Sequence, residues 1–298
     1  MMTDSFYRGP HRRLNALTGD WVTVSPQRAE RPWQGEETPT ESEAMSGYDP
    51  ECYLCPGNVR ATGQQNPIYQ SPWAFDNDFP AVLMQSPRAP AEQSPGDPPL
   101  PSDLFQSEIV TGRCRVVCYS PDHSRTLSQL TEAQIEQVIA LWAEEVAALR
   151  QEHHWVQVFE NKGAMMGCSN PHPHGQIWAV DILPNEARRE SMQQMAWFES
   201  NPEPLLEAYR RSEEASGTRL VTMNTHWCAV VPYWAVWPFE TLLMPRRRVD
   251  HLDALNTEEQ RALASLLKVL LSGSQSCLLM AGLVALRQRL ASLVKAMT

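Results

Sequence analysis

The sequence lacks any long uninterrupted run of apolar residues. No stretch is long and apolar enough to span a bilayer, and residues 1–14 carry charges without the apolar core of a signal peptide. Basic residues are in the minority, because 25 lysines and arginines stand against 35 acidic residues, for a formal net charge of -10. This balance disfavours nucleic acid or an anionic membrane as the main partner, so we expect neither. A phosphorylated substrate would have to meet local arginine or lysine residues.

The sequence also lacks the cysteine pattern of a secreted, disulfide-linked protein. Its seven cysteines are an odd number at irregular spacings. The cytoplasm is therefore the expected location. The 298 residues admit one large domain or two small ones, and a hydrophobic fraction of 42% suffices for a core.

One stretch, residues 161–178, concentrates the polar groups that can carry chemistry. It reads Asn-Lys-Gly-Ala-Met-Met-Gly-Cys-Ser-Asn-Pro-His-Pro-His-Gly-Gln-Ile-Trp. If its second part is a strand, alternation puts His172, His174 and Gln176 on one face. Small residues, whose backbone N–H groups can approach an anion closely, precede the histidines: Gly163, Gly167, Cys168 and Ser169.

This combination of residues predicts phosphoryl or nucleotidyl transfer. An imidazole is mostly neutral near pH 7 and can attack phosphorus to give a reactive phosphoramidate. Gln176 and the loop amides can hydrogen-bond the non-bridging phosphate oxygens. The alternative is that the two histidines belong to an ordinary metal or core site.

A second motif, Cys52-Tyr53-Leu54-Cys55, can present two thiolates to one metal ion. Zinc is the usual occupant, but it needs two further ligands. Redox activity is the competing interpretation. A thioredoxin-like motif would need a strand–helix context, whereas the following Pro56-Gly57 indicates a turn.

The secondary-structure signals occur twice in the same order. Thr131-x-x-Gln134 is a capping box that opens a helix, and Thr257-x-x-Gln260 is a second one. Each follows strand-like segments, a proline and a turn with a histidine, so two similar α+β halves are predicted. A charged helix is expected from about Leu183, broken near Asn201. Strands are predicted over residues 21–25, 113–120, 155–159, 227–232 and 240–245.

The stretch Ser169–Gln176, Ser-Asn-Pro-His-Pro-His-Gly-Gln, resembles the active-site signature of the galactose-1-phosphate uridylyltransferase family, a branch of the histidine-triad superfamily. The segment Ser25–Trp33 is similar to the family's N-terminal segment. The resemblance covers residues 8–271. It implies an α+β fold with two histidine-triad-like halves, mainly antiparallel sheet and flanking helices. Residues 1–185 would form the half with the zinc and catalytic motifs, and residues 186–298 the second half.

The resemblance also implies an activity in galactose metabolism. His174 would attack the α-phosphorus of UDP-glucose, expel glucose 1-phosphate and pass the uridylyl group to galactose 1-phosphate, giving UDP-galactose. The backbone oxygen of His172 would hold the other ring nitrogen of His174. A homodimer is implied as well. The alternative is another histidine-triad nucleotidyltransferase or hydrolase, such as a dinucleoside-polyphosphate phosphorylase.

Substrate-binding roles carry over from the family motif by motif. Two arginines would bind the sugar nucleotide: Arg28 and Arg31. The nucleoside would meet the wall formed by Phe75, Phe79 and Val116, with Asn77 and Asp78 near the uracil and the ribose. The phosphoryl groups would meet the side chains or amides of Asn161, Gly167, Cys168, Ser169 and Gln176.

The resemblance implies one structural zinc ion, bound by Cys52, Cys55, His123 and His172. In the family, a glutamate at the place of Glu190 joins three C-terminal histidines around a second metal. No histidine follows His251 in this sequence, so we expect no second metal site at Glu190.

Residues 272–298 do not resemble the family, whose members continue with strands that carry further histidines and sugar contacts. We therefore expect the second half to be incomplete, truncated or divergent after residue 271. This divergent ending motivates a further alternative, that the chain is an inactive remnant that still binds zinc.

Overall fold

The computed structural model describes residues 9–30, 46–85, 104–162, 168, 170–237 and 239–278. At the N-terminus, β1 (His11–Leu14) and β2 (Trp21–Val24) form an antiparallel hairpin, followed by a 3-10 helix over Pro26–Glu30. The hairpin packs against the second half of the chain, because Leu17 shares a small core with Leu205 and Trp234.

The first half is built on a four-stranded antiparallel sheet. Its strands are β3 (Trp73–Asp76), β4 (Gly112–Cys118), β5 (Trp155–Phe159) and β6 (His174–Val180), in the order β3-β4-β6-β5. This arrangement confirms the strands predicted over residues 113–120 and 155–159. Half-buried and buried residues alternate along β6 from His174 to Ala179, as expected for a sheet with one face in a core.

Helix α1 (Glu132–Leu149) covers one face of this sheet. Thr131 caps the helix, since its hydroxyl accepts from the Gln134 N–H at 3.2 Å and the Gln134 side chain returns to the Thr131 N–H at 2.9 Å. The predicted capping box is therefore confirmed. The buried side of the helix consists of Ile135, Val138, Ile139, Trp142, Ala143, Val146 and Leu149.

The second half begins with two helices, α2 (Asn185–Ser200) and α3 (Leu205–Ser216). The predicted charged helix and its interruption near Asn201 are thus confirmed. A three-stranded antiparallel sheet follows, with β7 (Leu220–Met223), β8 (Trp227–Val230) and β9 (Leu242–Pro245) in that order.

The last described element is α4 (Thr257–Leu278). Its N-cap is Asn256 rather than the predicted Thr257, because the Glu259 N–H donates to Asn256 Oδ1 at 2.9 Å and the Asn256 N–H donates to Glu259 Oε2 at 3.0 Å. The predicted capping box at Thr257 and Gln260 was therefore wrong by one residue, because the observed one joins Asn256 and Glu259. The helix also continues past residue 271, where we expected the family-like part to end. Residues 279–298 lie outside the described residues.

One hydrophobic core joins the two halves. Helix α1 lies between the four-stranded sheet and α4, and its Trp142 is fully buried in the same cluster as Trp227 of β8 and Leu263 of α4. Burial of these large side chains contributes roughly 1.5–3 kcal/mol each to the free energy of folding. No helix in the described ranges is long and apolar enough to cross a membrane.

Candidate active site

The predicted nucleophile stands at the first residue of β6, with His172 just before the strand. We expected His172, His174 and Gln176 to share one strand face, but β6 begins at His174. The two prolines around His172, Pro171 and Pro173, supply no N–H for a sheet ladder, which keeps His172 out of the strand. His174 and Gln176 do lie on the same face, since they are two residues apart.

The register of the sheet brings the predicted site residues together on this face, opposite α1. Phe75 is paired with Val116, and Val116 with Gln176. In the neighbouring row, Cys118 is paired with His174. Paired residues of antiparallel strands point to the same side, so His174 and Gln176 of β6 share a face with Phe75 of β3, and β4 lies between the two strands.

The His174 ring is held by its own chain. Its Nδ1 lies 2.7 Å from the backbone oxygen of His172, the contact expected from the resemblance. Because a carbonyl only accepts, Nδ1 carries the hydrogen and Nε2 keeps its lone pair. Burial lowers the pKa of His174, and the hydrogen bond to the His172 carbonyl opposes that shift in part. The ring is therefore neutral near pH 7, the form that can act as a nucleophile.

Gln176 is also oriented by a neighbour on its own strand. The indole N–H of Trp178 donates to Gln176 Oε1 at 3.0 Å. This contact leaves the Nε2 group of the amide as the donor toward a ligand on the His174 face.

Gly175, on the opposite face of β6, has no room for a side chain. A Cβ atom there would lie 2.0 Å from the Tyr119 hydroxyl oxygen and 2.9 Å from the backbone oxygen of Phe159. Tyr119 is fully buried and packs edge-on against Trp142 of α1. The strand that carries His174 thus sits directly against the main core.

The four predicted metal ligands converge. The ligand atoms of Cys52, Cys55, His123 and His172 all lie within 4.8 Å of one another, and all four residues are buried. Cys55 Sγ is 3.4 Å from His123 Nδ1 and 3.6 Å from His172 Nδ1. Two thiols and two imidazoles are the ligand set typical of structural zinc sites.

Surrounding groups prepare His172 to bind a metal. Its Nε2 lies 3.0 Å from the Ser120 carbonyl oxygen, and also 3.0 Å from the Tyr69 hydroxyl, which itself donates to the Leu54 carbonyl at 2.7 Å. Nε2 therefore carries the hydrogen, and Nδ1 faces Cys55 with its lone pair. Metal-binding histidines are usually oriented in this way by an acceptor on the other nitrogen.

Asn170 contacts two of the four predicted metal ligands, His172 and Cys52. It is buried, its Oδ1 accepts from the His172 backbone N–H at 2.9 Å, and its side chain lies 3.5 Å from Cys52 Sγ. Burial raises the pKa of Cys55 to about 11, so a thiolate there requires a nearby cation. The residues present thus fit zinc, and the two histidines favour a metal site over a redox pair.

The predicted nucleoside wall is partly assembled. Phe75 and Val116 are buried in one cluster with the Cys52–Cys55 loop. The Asn77 side chain turns back to accept from the Phe79 N–H at 2.9 Å, and Phe79 itself is 79% exposed. Asp78 pairs with Arg60 at 3.0 Å.

No contact among the described residues brings the other predicted substrate-binding residues to the sheet face that carries His174. Arg28 is exposed in the 3-10 helix Pro26–Glu30, and Asn161 is exposed after β5. The half-buried Cys168 donates from Sγ to the Asn170 carbonyl at 3.1 Å. Three predicted residues lie outside the described residues: Arg31, Gly167 and Ser169.

Glu190, the residue considered for a second metal, is buried on α2. In the described ranges, the Cys52, Cys55, His123 and His172 group is the one set of three or more metal-binding side chains close enough to share an ion. The absence of a second metal at Glu190 stays a prediction.

Two sequence profiles match the chain. The one described as galactose-1-phosphate uridyl transferase, N-terminal domain, matches residues 2–184, and its C-terminal counterpart matches residues 190–276. The chain belongs to the galactose-1-phosphate uridylyltransferase family. The C-terminal match extends the family-like part beyond residue 271, where we expected it to end.

Relatives from distant organisms support this membership. A galactose-1-phosphate uridylyltransferase from Haemophilus influenzae is 51% identical over 261 residues, which are 88% of this chain and 72% of that protein. The rat protein of the same name is 45% identical over 262 residues, covering 88% of this chain and 67% of the relative. This chain thus spans about 70% of the length of these two relatives.

Two solved structures share the fold of this chain. A uridylyltransferase structure matches 87% of this chain and 73% of its own, with a TM-score of 0.63 and 29% identity. An ADP-glucose phosphorylase from Arabidopsis thaliana with bound ADP-glucose has a TM-score of 0.66 and covers 91% of this chain and 79% of its own. At 23% identity, the second likeness concerns the fold alone.

Sequence reasoning missed three residues that contact the predicted site residues: Tyr69, Asn170 and Arg60. Asn170 had a local signal, since asparagine followed by Pro-His favours a turn in which its side chain accepts from the residue two positions on. Tyr69 and Arg60 had none. Their partners, His172 and Asp78, are 103 and 18 residues away along the chain.

Proposed function

We propose that this chain moves a uridylyl group from UDP-glucose to galactose 1-phosphate through a covalent uridylyl-histidine on His174. The observation that carries the proposal is the 2.7 Å contact between His174 Nδ1 and the His172 carbonyl oxygen. It selects the tautomer in which Nε2 is the nucleophile, and Nε2 belongs to a ring on the face that also carries Gln176 and Phe75.

The reaction consists of two displacements at one phosphorus atom. In the first, Nε2 of His174 attacks the α-phosphorus, the bond from that phosphorus to the bridging oxygen breaks, and glucose 1-phosphate leaves. The ring then carries a hydrogen on Nδ1 and phosphorus on Nε2, so it is positively charged, and the His172 carbonyl stabilises this charge. In the second, a phosphate oxygen of galactose 1-phosphate attacks, the N–P bond breaks, and UDP-galactose leaves.

Polar groups around His174 would hold the phosphoryl oxygens. The Gln176 amide is oriented by Trp178 to donate. We propose that Asn161, Lys162, Cys168 and the backbone amides of Gly167–Ser169 supply the remaining donors. Arg28 and Arg31 would bind the sugar nucleotide.

The Cys52, Cys55, His123 and His172 group would hold one zinc ion with a structural role. Zinc bound there would fix the His172 ring, and the His172 backbone carbonyl positions His174. The metal would therefore support the nucleophile without touching the substrate. Full activity in metal-stripped protein would contradict this role.

The decisive experiment is the intact mass of the purified chain after brief incubation with UDP-glucose. We expect an acid-labile uridylyl adduct on the parent protein and none on His174→Ala. His154→Ala, which removes an exposed histidine, is the matched control and should be labelled like the parent. An unlabelled parent that still binds zinc would favour the inactive remnant and contradict the proposed activity.

The choice of acceptor separates this reaction from other histidine-triad chemistry. Galactose 1-phosphate should discharge the adduct far faster than inorganic phosphate or water. Faster discharge by phosphate would indicate a phosphorylase, and faster discharge by water a hydrolase. The expected homodimer and cytoplasmic location belong to the same proposal, and sedimentation of the purified chain tests the dimer.

A further inference from the structure

Arg60 follows the Cys52–Cys55 loop and is unusually well buried for an arginine, with 8% of its surface exposed. Its Nη1 forms an ion pair with Asp78 Oδ1 at 3.0 Å and donates to the Asp76 carbonyl at 3.2 Å. Its Nη2 donates to the Gln64 side chain. Buried arginines are rare unless paired, and this one contacts both ends of the turn that follows β3.

Arg60 also ends a column of stacked groups. Its guanidinium carbon lies 4.3 Å from the ring centroid of Phe75, whose ring stacks on Trp73 at 4.7 Å. Trp73 stacks in turn on Tyr69 at 5.3 Å. The Tyr69 hydroxyl contacts His172 Nε2 at 3.0 Å, so the column runs from the metal ligands to Asp78.

Asp78 is held from two directions by the same loop. Its Oδ1 accepts from the Thr62 hydroxyl at 3.2 Å in addition to the Arg60 pair, and 10% of its side chain is exposed. A carboxylate this buried needs a partner to stay ionised and in place. Arg60 holds this carboxylate through the single oxygen Oδ1, and its own guanidinium is held in place by the Asp76 carbonyl and the Gln64 side chain.

We propose that Arg60 is a positioning residue that sets ribose selectivity by holding Asp78. The inference rests on the proposed function and on the family resemblance, which implies that Asp78 lies near the ribose of the bound nucleotide. A carboxylate can accept hydrogen bonds from both hydroxyls of a ribose, so its placement determines how strongly the 2′-hydroxyl is recognised. Arg60 acts through Asp78 and, by stacking, through Phe75, and it needs no contact with the nucleotide.

The test compares calorimetric binding of UDP and 2′-deoxy-UDP to the full chain. The parent should bind UDP more tightly than 2′-deoxy-UDP. In Arg60→Met the ratio of the two affinities should fall about tenfold, which corresponds to the loss of one hydrogen bond to a charged group. Arg60→Lys should keep part of the preference for UDP, because charge is retained without the planar fork. Turnover should show a raised KM for UDP-glucose with kcat nearly unchanged.

Two further variants decide whether Arg60 acts through Asp78. In an Asp78→Asn background, Arg60→Met should change the UDP preference little, and this double variant also avoids a buried unpaired charge if Arg60→Met alone folds poorly. Arg113→Met is the matched control, since Arg113 pairs with Asp76 on the opposite face of the sheet and should leave the preference intact.

Three results would overturn the inference: a parent-like preference in folded Arg60→Met or Arg60→Lys, an equal loss of affinity for both nucleotides, or the same effect of Arg60→Met with and without Asp78. A parent that binds neither UDP nor 2′-deoxy-UDP would instead contradict the proposed function. The two failures are therefore distinguishable.

Discussion

His174 Nδ1 lies 2.7 Å from the backbone carbonyl oxygen of His172, two residues before it. The same His172 turns its ring into the Cys52, Cys55 and His123 group. One residue thus joins the predicted metal ligands with its side chain and orients the neighbouring imidazole with its backbone. The prolines on either side of His172 restrict the backbone between the two functions.

Gly175→Ala should damage both stability and activity. The new methyl group would meet the Tyr119 hydroxyl at 2.0 Å and the Phe159 carbonyl at 2.9 Å, and the buried core allows little movement. We expect a loss of about 1–3 kcal/mol in the free energy of unfolding and a shift of His174 that slows adduct formation. Urea unfolding and adduct mass measure the two effects.

Tyr119→Phe provides the matched test of this clash. Removing the hydroxyl leaves the ring carbon Cζ, which is 2.9 Å from the alanine position, as the nearest side-chain atom. The double variant Gly175→Ala/Tyr119→Phe should regain part of the stability. Simple additivity of the two single-variant effects would show that the clash with Tyr119 is not the cause.

Removal of one metal ligand should cost the metal and much of the stability. Cys55→Ser replaces a ligand in the centre of the group, 3.4 Å from His123 Nδ1. The parent should bind one equivalent of zinc. This binding should add about 4 kcal/mol to the free energy of unfolding when the free metal concentration exceeds the Kd by about 1,000-fold. Cys168→Ser changes a thiol outside the group and should keep full metal content. An unchanged zinc content in Cys55→Ser would exclude this site.

Glu160 should make stability fall as pH rises toward neutrality. Burial raises its pKa to about 7 from 4.5, with Lys162 opposing the shift. The folded state therefore favours the protonated carboxyl, a contribution that is complete below pH 4.5 and is lost as pH rises through about 7.

The pH dependence of urea unfolding for Glu160→Gln measures this contribution. The variant should show a smaller decline over that pH range than the parent. Glu152→Gln, at an exposed glutamate, should follow the parent curve. A parent-like slope in Glu160→Gln would mean that the carboxyl is ionised in the folded protein.

Glu259 should act in the opposite direction. It is buried at the start of α4 and forms two contacts with Arg247, at 2.6 and 2.8 Å, which hold the pKa of its carboxyl below 4.5. Its stabilising contribution is present above pH 4.5 and is lost as pH falls through the lower folded pKa.

Glu259→Gln should therefore lower stability at neutral pH and flatten its fall in acid. Acid unfolding followed by circular dichroism is the measurement. Glu258→Gln, one residue earlier and exposed, removes the same charge from the first helical turn without the Arg247 pair. Equal acid sensitivity of the two variants would show that the pair adds nothing beyond the helix dipole.

The local elements were predictable because their signals lie within a few residues. The capping box at Thr131 depends on one neighbour three positions on, and the alternation around Gln176 depends on the next two residues. The register of the second capping box was wrong because Asn256 and Thr257 both favour an N-cap. Only the contacts with Glu259, whose carboxylate also binds Arg247, choose between them.

By itself, the sequence predicted the family from the motif over Ser169–Gln176, and through that resemblance it predicted His174 as the nucleophile and Cys52, Cys55, His123 and His172 as metal ligands. The tertiary structure alone decided that His172 leaves the strand, that Tyr69 and Asn170 contact the predicted metal ligand His172, and that Arg60 holds Asp78. These contacts follow from burial and sheet register. Both depend on how distant segments pack, and a local pattern of residues does not encode that packing.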